Sequence, residues 1–484
     1  MENIPAISSP IVNMSLPVSF NIINSSCLGD AEFRVDYGVK YAYTAGAMYK
    51  AIASETLVVA LAKAKLIGFF GTGGLRLSRI DEAIQAIQSQ LTADQSFGMN
   101  LLYSFGQQDL EDRTVDLFLS RRIRFVEASA YINVTPAVVR YRLHGVTRDS
   151  GGIINTPHLV LAKVSRPEVA RAFMSPAPDS IVRGLVAAGR LSLHEAELAR
   201  NIPVASDICV EADSGGHTDQ GVAYALMPAM LRLRDEIMSQ YSFGKRIRVG
   251  AAGGIGTPEA AAASFIMGAD FITTGSVNQC TVEAGTSDSV KDMLQDMNVQ
   301  DTTYAPAGDM FETGAKVQVL KKGVFFPARA NKLYELYTRH SSWNEIDSQT
   351  RKQIEEKYFR RSFEDVWLET KAYHSSINPD FEKSVLSPKA KLALVFRWYF
   401  FHTSRLALRG VEEDKVNYQV HSGPALGAFN QWVKGTPLES WRNRHVSDIG
   451  ERIMNGAADI LTKRCGEMAL NGQGTTASLV HVVS

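Results

Sequence analysis

From residue 39 to about 276, short apolar runs alternate with stretches whose apolar positions recur at three-and-four spacing, the periods of strands and of amphipathic helices. The pattern predicts eight strands, over 39–43, 67–70, 97–102, 124–127, 159–164, 208–212, 247–251 and 271–274. Between them it predicts helices over 55–65, 79–91, 110–119, 136–143, 222–237 and 258–267. Such alternation calls for a parallel sheet with helical crossovers. Eight units in about 240 residues fit a closed (β/α)8 TIM barrel better than an open doubly wound sheet. A dinucleotide fold would place G-x-G-x-x-G after the first strand, and here that strand runs into Ala45-Gly46-Ala47-Met48 instead.

Between the fifth and sixth strands, residues 176–207 read as an inserted pair of short helices, the second opened by a capping box of Ser192 and Glu195. Insertions after a barrel strand open on the catalytic face, so this one has the place of a lid. Past residue 310 the texture turns basic, aromatic and acidic, with helical patterns over 331–339, 349–363, 390–407 and 449–461. The expected organisation is an N-terminal extension (1–35), a barrel (36–310), a C-terminal helical domain (311–465) and a flexible tail (466–484) whose stretch 471–476 should fray.

Composition narrows the function. The 484 residues carry 51 basic and 51 acidic side chains, so there is no basic footprint for nucleic acid. Cys27, Cys209, Cys280 and Cys465 lie too far apart for a zinc knuckle or a disulfide framework, which fits a reducing cytoplasm. Residues 1–26 lack the basic and apolar regions of a signal peptide. The two longest apolar stretches, 57–70 and 392–408, are broken by Lys63, Lys65, Arg397, His402 and Arg405, so neither spans a bilayer.

Barrel sites are built from the residues just after each strand. After strands seven and eight, Gly253, Gly254, Gly275 and Ser276 offer main-chain N–H groups for a phosphate, where tight turns are the plainer alternative. After strand six, His217 follows Gly215 and Gly216, placed either for proton donation or as an ordinary loop histidine. Lys163 ends an apolar strand, as a cation facing an electron-rich ring or as a snorkelling lysine. Asn100 inside an apolar strand reads as a pocket amide or a buried, satisfied one. Together these describe a flavin mononucleotide (FMN) site better than a resident nicotinamide site, leaving NAD(P)H as a transient hydride source.

Tyr37-Gly38-Val39-Lys40-Tyr41-Ala42-Tyr43, Ala45-Gly46-Ala47-Met48, the run EADSGGHTD from Glu211 and AAGGIGTPEAAAA from Ala251 resemble the flavin-dependent nitronate monooxygenase superfamily. Within it, APAGDMFE from Ala305, KVQVLKKGVFFPARANKLYELY from Lys316, ALVFRWYFFHTSRLAL from Ala393 and DKVNYQVHSGPALGAFNQWVKG from Asp414 resemble the trans-acting enoyl reductases (PfaD family) of polyunsaturated fatty acid and polyketide synthases. The likeness covers roughly residues 28–462. It implies a tightly bound FMN, NADPH as hydride donor and an enoyl thioester on the acyl carrier protein of a separate synthase. It further implies His217 as proton donor or orienting group, Gly46, Ala47 and Met48 against the ring, Asn100 and Lys163 as polar contacts, Gly215 and Gly216 beside them, and Gly253, Gly254, Gly275 and Ser276 on the phosphate. Gln220-Gly221-Val222 stands where such relatives commonly have Asn-Arg-Pro, which unsettles the contacts of that stretch alone.

Arg397, Arg405 and Arg409 on the aromatic segment around 396–400 would suit an acidic carrier protein or its phosphopantetheine, although a domain-packing core face explains the aromatic stripe as well. Two further readings stand beside the reductase: a nitronate monooxygenase-type FMN oxidase, and a non-catalytic carrier-binding subunit that keeps the barrel. No metal site is expected, and the oligomeric state, a homodimer included, is open.

Overall fold

The computed structural model describes residues 22–103, 108–377, 380–381 and 387–479. Most of the expected N-terminal extension, 1–21, and the last residues of the expected tail, 480–484, lie outside them. Eight parallel strands close a barrel in sequence order: β1 (Tyr43–Ala45), β2 (Ile67–Phe70), β3 (Gly98–Leu102), β4 (Phe125–Ser129), β5 (Leu159–Val164), β6 (Asp207–Glu211), β7 (Arg248–Ala252) and β8 (Ile272–Thr274). Register puts Asn100 beside Glu127, Glu127 beside Leu161, and Lys163 beside Cys209. The one clear displacement from expectation is β1, which begins at Tyr43 where the sequence pattern ends the strand. Tyr43–Ala45 pairs with β8 and β2, while Lys40 still bonds outward to Lys65 O (2.9 Å).

The lower barrel is packed with rings, and two glycines make the room. A Cβ on Gly98 would sit 2.2 Å from the Phe69 ring and one on Gly250 2.5 Å from the Phe271 ring. Helix Ala31–Tyr37, capped by Asp30 (2.8 Å to Phe33 N) and stopped at Gly38 with φ 64°, carries Phe33 and Tyr37 into this cluster. There Asp207, fully buried, takes bonds from Tyr37 Oη (2.8 Å) and from Arg248 Nε and Nη2 (2.5 and 3.1 Å), and Arg248 also reaches Asp36 (2.8 Å). An ion pair out of water holds together only while every partner is present.

The inserted segment folds as helices Asp179–Ala187 and Leu193–Leu198, with the Ser192–Glu195 box formed in both directions. Beyond the barrel, Thr302–Pro306 and Lys316–Leu320 form an antiparallel pair, and Gly216–His217 adds to Lys316–Leu320 as a third strand. The helical pattern expected over 349–363 is broken: Ser348–Ile354 passes into a π-helical turn, Glu355–Phe359, and a new helix starts at Phe363. Arg360 at φ 55° makes the break, and Glu355 Oε1 accepts the Phe363 N–H (2.8 Å). The last helix, expected over 449–461, runs Val446–Leu479, through the first part of the segment read as a tail.

Packing divides residues 311–465 between two cores. Residues from Ala305 to Phe400, with Phe326, Phe363, Phe396 and Tyr399 at the centre, form their own cluster. Residues from Tyr418 to Leu461 join the barrel's outer core instead, where Gly456 lies against Pro258 and Gly450 against Tyr43. Among the described residues no helix is long and apolar enough to cross a membrane, and no group of His, Cys, Asp and Glu has metal-binding geometry.

Removing one member of the buried floor network leaves a buried charge without its partner. Asp207→Ala is expected to lower unfolding free energy by about 3–5 kcal/mol, read from urea denaturation; a loss within the scatter of surface substitutions would show that the network holds nothing.

Candidate active site at the barrel mouth

The carboxyl ends of the strands gather nearly all of the residues singled out in the sequence. Gly46, after β1, bonds Thr274 O (2.9 Å), and a Cβ there would meet Thr273 Cγ2 at 3.1 Å and Glu127 Oε1 at 3.3 Å. Ala47 N donates to Glu127 Oε2 (3.1 Å), and Met48 O leaves no side-chain room at Gly71. Asn100, buried, commits Nδ2 to Glu127 O (2.9 Å) and Ser129 Oγ (3.0 Å), so its amide is anchored in the barrel wall.

Lys163 is mostly buried and lies 3.3 Å from Glu211 Oε1. Burial disfavours its charge, but Glu211 and Glu127 outweigh burial and hold the ammonium protonated. Glu127 is wholly buried; burial drives its pKa up against the pull of Lys163 and the Ala47 N–H. Its Oε1 has no hydrogen-bond partner. A lysine between two carboxylates therefore sits under the mouth as a charged group fixed on strand backbones.

The loop after β6 is clamped from outside the barrel. Asp213 takes bonds from Thr218 Oγ1 (2.8 Å), Tyr304 Oη (2.6 Å) and Gln318 Nε2 (3.1 Å). Gly216, at φ 90°, turns the chain into the short strand that carries His217. His217 Nε2 meets Asp309 Oδ1 at 2.9 Å with both side chains about half exposed. Burial works against charge on His217, but the Asp309 carboxylate prevails and raises its pKa; Asp309 is correspondingly lowered. Downstream, Asp219 is bound by Ser165 and Arg166, while Gln220 adopts φ 58°. The departure at 220–222 thus lies beyond the histidine's own contacts.

Gly253 and Gly254 take φ of 85° and 74°, and a Cβ on Gly254 or Gly275 would meet nothing within 4 Å. Among the described residues, the N–H groups of Gly253, Gly254, Gly275 and Ser276 donate to no protein acceptor. Ser276 Oγ accepts from Gly423 N (2.9 Å). Open space with unspent donors fits a phosphate group.

Besides the Glu127 and Glu211 carboxylates, three members of the site escaped the sequence reading. Asp309, 92 positions from His217, had no marker beyond its place in the APAGDMFE string. His421 lies beside Gly216, where an added Cβ would be 3.7 Å from its Nδ1, and stacks on Tyr49 at 5.2 Å. Burial, reinforced by His217 and Lys50, pushes its pKa down to about 4, so the ring is neutral. Tyr49 is bonded to Ser404 of the long helix Pro388–Arg409.

A closed parallel barrel with open main-chain N–H groups after β7 and β8 and a histidine after β6 defines the class. Residues 35–322 match the nitronate monooxygenase family, and the chain belongs to it. Residues 340–418 match the family described as acyl-carrier-protein S-malonyltransferase, inserted helical domain. The chain is 56% identical over 463 residues to the polyketide biosynthesis protein PksE of Bacillus subtilis, covering 95% of this chain and 60% of that one. It is 44% identical over 438 residues to one of the polyunsaturated fatty acid synthase proteins of Thraustochytrium, covering 89% of this chain and 29% of that one. The chain thus spans less than two thirds of these relatives. The crystal structure of the enoyl reductase domain of MlnA, from the macrolactin biosynthesis cluster of Bacillus amyloliquefaciens, superposes with TM-score 0.88 at 47% identity, over 91% of this chain and 99% of that one.

Because Asp309 outweighs burial at His217, removing the carboxylate lowers the histidine's pKa. In Asp309→Asn, the His217 ring resonances are expected to titrate at lower pH than in the wild type; an unchanged or higher midpoint would contradict the pairing.

Proposed function

We propose that the chain is an FMN-dependent enoyl reductase that takes hydride from NADPH and reduces the α,β-double bond of an enoyl thioester. The substrate is tethered to an acyl carrier protein of a polyketide or polyunsaturated fatty acid synthase, and the reductase acts in trans. The observation that carries this reading is the His217–Asp309 pair, a proton donor with a raised pKa on a loop that neighbours an open phosphate cradle. The likeness to the MlnA enoyl reductase domain over nearly its whole length supports it.

In this reading Gly253, Gly254, Gly275 and Ser276 would hold the FMN phosphate, and Gly46, Ala47, Met48, Asn100 and Lys163 would hold its ring. The bound flavin supplies the chemistry of hydride relay between the nicotinamide and the alkene. Gly215 makes room for the Gly423 backbone and Gly216 turns the loop at φ 90°, and His217 donates a hydrogen bond to the thioester oxygen, where negative charge grows as the β-carbon is reduced. The same imidazolium then delivers the proton for the α-carbon, and Asp309 stabilises its charged form beforehand. Lys163, kept protonated by Glu211 and Glu127, contributes fixed positive potential. The reaction belongs in the cytoplasm with its synthase.

A nitronate oxidase is the second reading, favoured by the family match over residues 35–322. Anaerobic mixing with NADPH separates the two. Bleaching of the flavin absorbance, recovery on adding a crotonyl carrier thioester, and a recovery rate roughly 10²–10⁴-fold lower in His217→Ala are expected. Bleaching without recovery, together with oxygen uptake on a nitronate, would overturn the reductase reading. A protein that cannot be loaded with FMN would leave only a non-catalytic carrier-binding role.

A further inference from the structure

The long helix Pro388–Arg409 has two faces with different jobs. Phe396, Trp398, Tyr399 and Phe400 are buried in the second core, which accounts for the aromatic stripe as packing. Arg397, Phe401 and Arg405, four residues apart, form a separate stripe along the helix, and Phe401 stays 44% exposed. At one end Arg397 reaches Asp309 O (3.4 Å) and Glu312 (3.1 Å), beside the His217 pair. At the other end Arg405 adjoins Ser404, which the Tyr49 hydroxyl ties to the loop after β1. The eight-residue step from Arg397 to Arg405 spans about 12 Å.

Lys50 follows Tyr49 and completes the far end. Lys50 and Ala51 hold φ of 50° and 57°, a conformation that residues other than glycine seldom adopt. They are fixed there by bonds from Lys50 N to Gly73 O (2.7 Å) and Ala51 N to Gly71 O (2.9 Å). A strained backbone that aims one side chain is a common mark of a functional position. Neither Lys50 nor Arg405 has an ion-pair partner among the described residues. Glu369, whose field reaches Arg405, is already bonded to Arg361 and Trp398. The Tyr49–Ser404 bond brings the two cations to neighbouring positions, and burial, with the Arg405 charge adding to it, pushes the Lys50 pKa down.

We propose that Lys50 and Arg405 bind the phosphate ester of the substrate's phosphopantetheine arm, and that the arm runs past Phe401 towards His217. This rests on the reductase reading for the arm's thioester end, while the phosphate site is testable without turnover. Two cations on one phosphate give charge-assisted bonds, and the apolar step at Phe401, one helical turn from Arg405, suits the dimethyl carbon that neighbours the phosphate ester of the pantetheine arm.

Calorimetric binding of 4′-phosphopantetheine and of pantetheine, which differ only in the phosphate, is the direct test. The wild type is expected to bind the phosphorylated compound roughly tenfold to a hundredfold more tightly. That ratio should fall to near one in the Lys50→Asn/Arg405→Gln double variant and persist in Arg409→Gln. Asparagine tolerates the left-handed backbone at position 50. The KM for crotonyl-phosphopantetheine, relative to that for crotonyl-pantetheine, should rise in the double variant by the same factor. Equal wild-type affinity for both compounds, a loss of both alike in the double variant, or a change confined to the NADPH KM would overturn the proposal. Phosphate discrimination without any reduction of crotonyl-pantetheine would uphold the phosphate site and sink the reductase reading.

Discussion

The mouth of the barrel depends on one close approach of backbone to backbone. A Cβ on Gly215 would sit 2.7 Å from Gly423 N, and a Cβ on Gly423 would sit 2.8 Å from Gly215 N. Only a pair of glycines lets the turn after β6 lie against a segment two hundred positions later. From that contact the rest follows in order. Gly423 N reaches Ser276 Oγ at the cradle, His421 comes to rest beside Gly216 and pairs with Val319 as a β-bridge, and the strand Gly216–His217 is held against Lys316–Leu320. His217 is therefore positioned by parts of the chain that lie outside the barrel.

This explains why the C-terminal region is no loose appendage. Residues 418–461 are packed into the barrel's outer core, and the cluster between 305 and 400 lies beside the mouth through Asp309, Glu312 and Arg397. A barrel alone would keep the cradle and the Glu127–Lys163–Glu211 group on its own strands. It would lose the carboxylate that raises the His217 pKa and the neutral His421 that flanks it. The charge design is graded: a lysine locked on by two acids below, a histidine tuned by one half-exposed acid above, and, further out, two cations with no ion-pair partner among the described residues.

The barrel was legible because parallel strands buried on both faces write near-continuous apolar runs, and helices between them write a different period. Seven of the eight strands fall within a residue or two of expectation; β1 shifts because the Lys40 N–H is given to Lys65 O, ahead of the strand pairing that begins at Tyr43. Most of the glycine positions were legible for a local reason, since Gly216, Gly253 and Gly254 take left-handed backbone and Gly215 has no room for a side chain. Asp309 and His421 were not, because their meaning lies in a hydrogen bond across 92 positions and a contact across about 200. The break at Arg360 escaped for the opposite reason: no glycine or proline marks it, and a carboxylate from Glu355 stabilises it instead.

If the C-terminal segment holds the histidine strand in place through the Gly215–Gly423 contact, loosening that contact frees the strand and leaves the barrel intact. Amide hydrogen exchange in Gly215→Ala, compared with the wild type, measures this without any cofactor or substrate. Exchange at 216–217 and 317–319 is expected to be faster by roughly an order of magnitude or more, with the amides of β1 to β8 still protected, because only the local opening energy changes. Unchanged exchange at 216–217, or loss of protection throughout the barrel, would contradict that role for the contact.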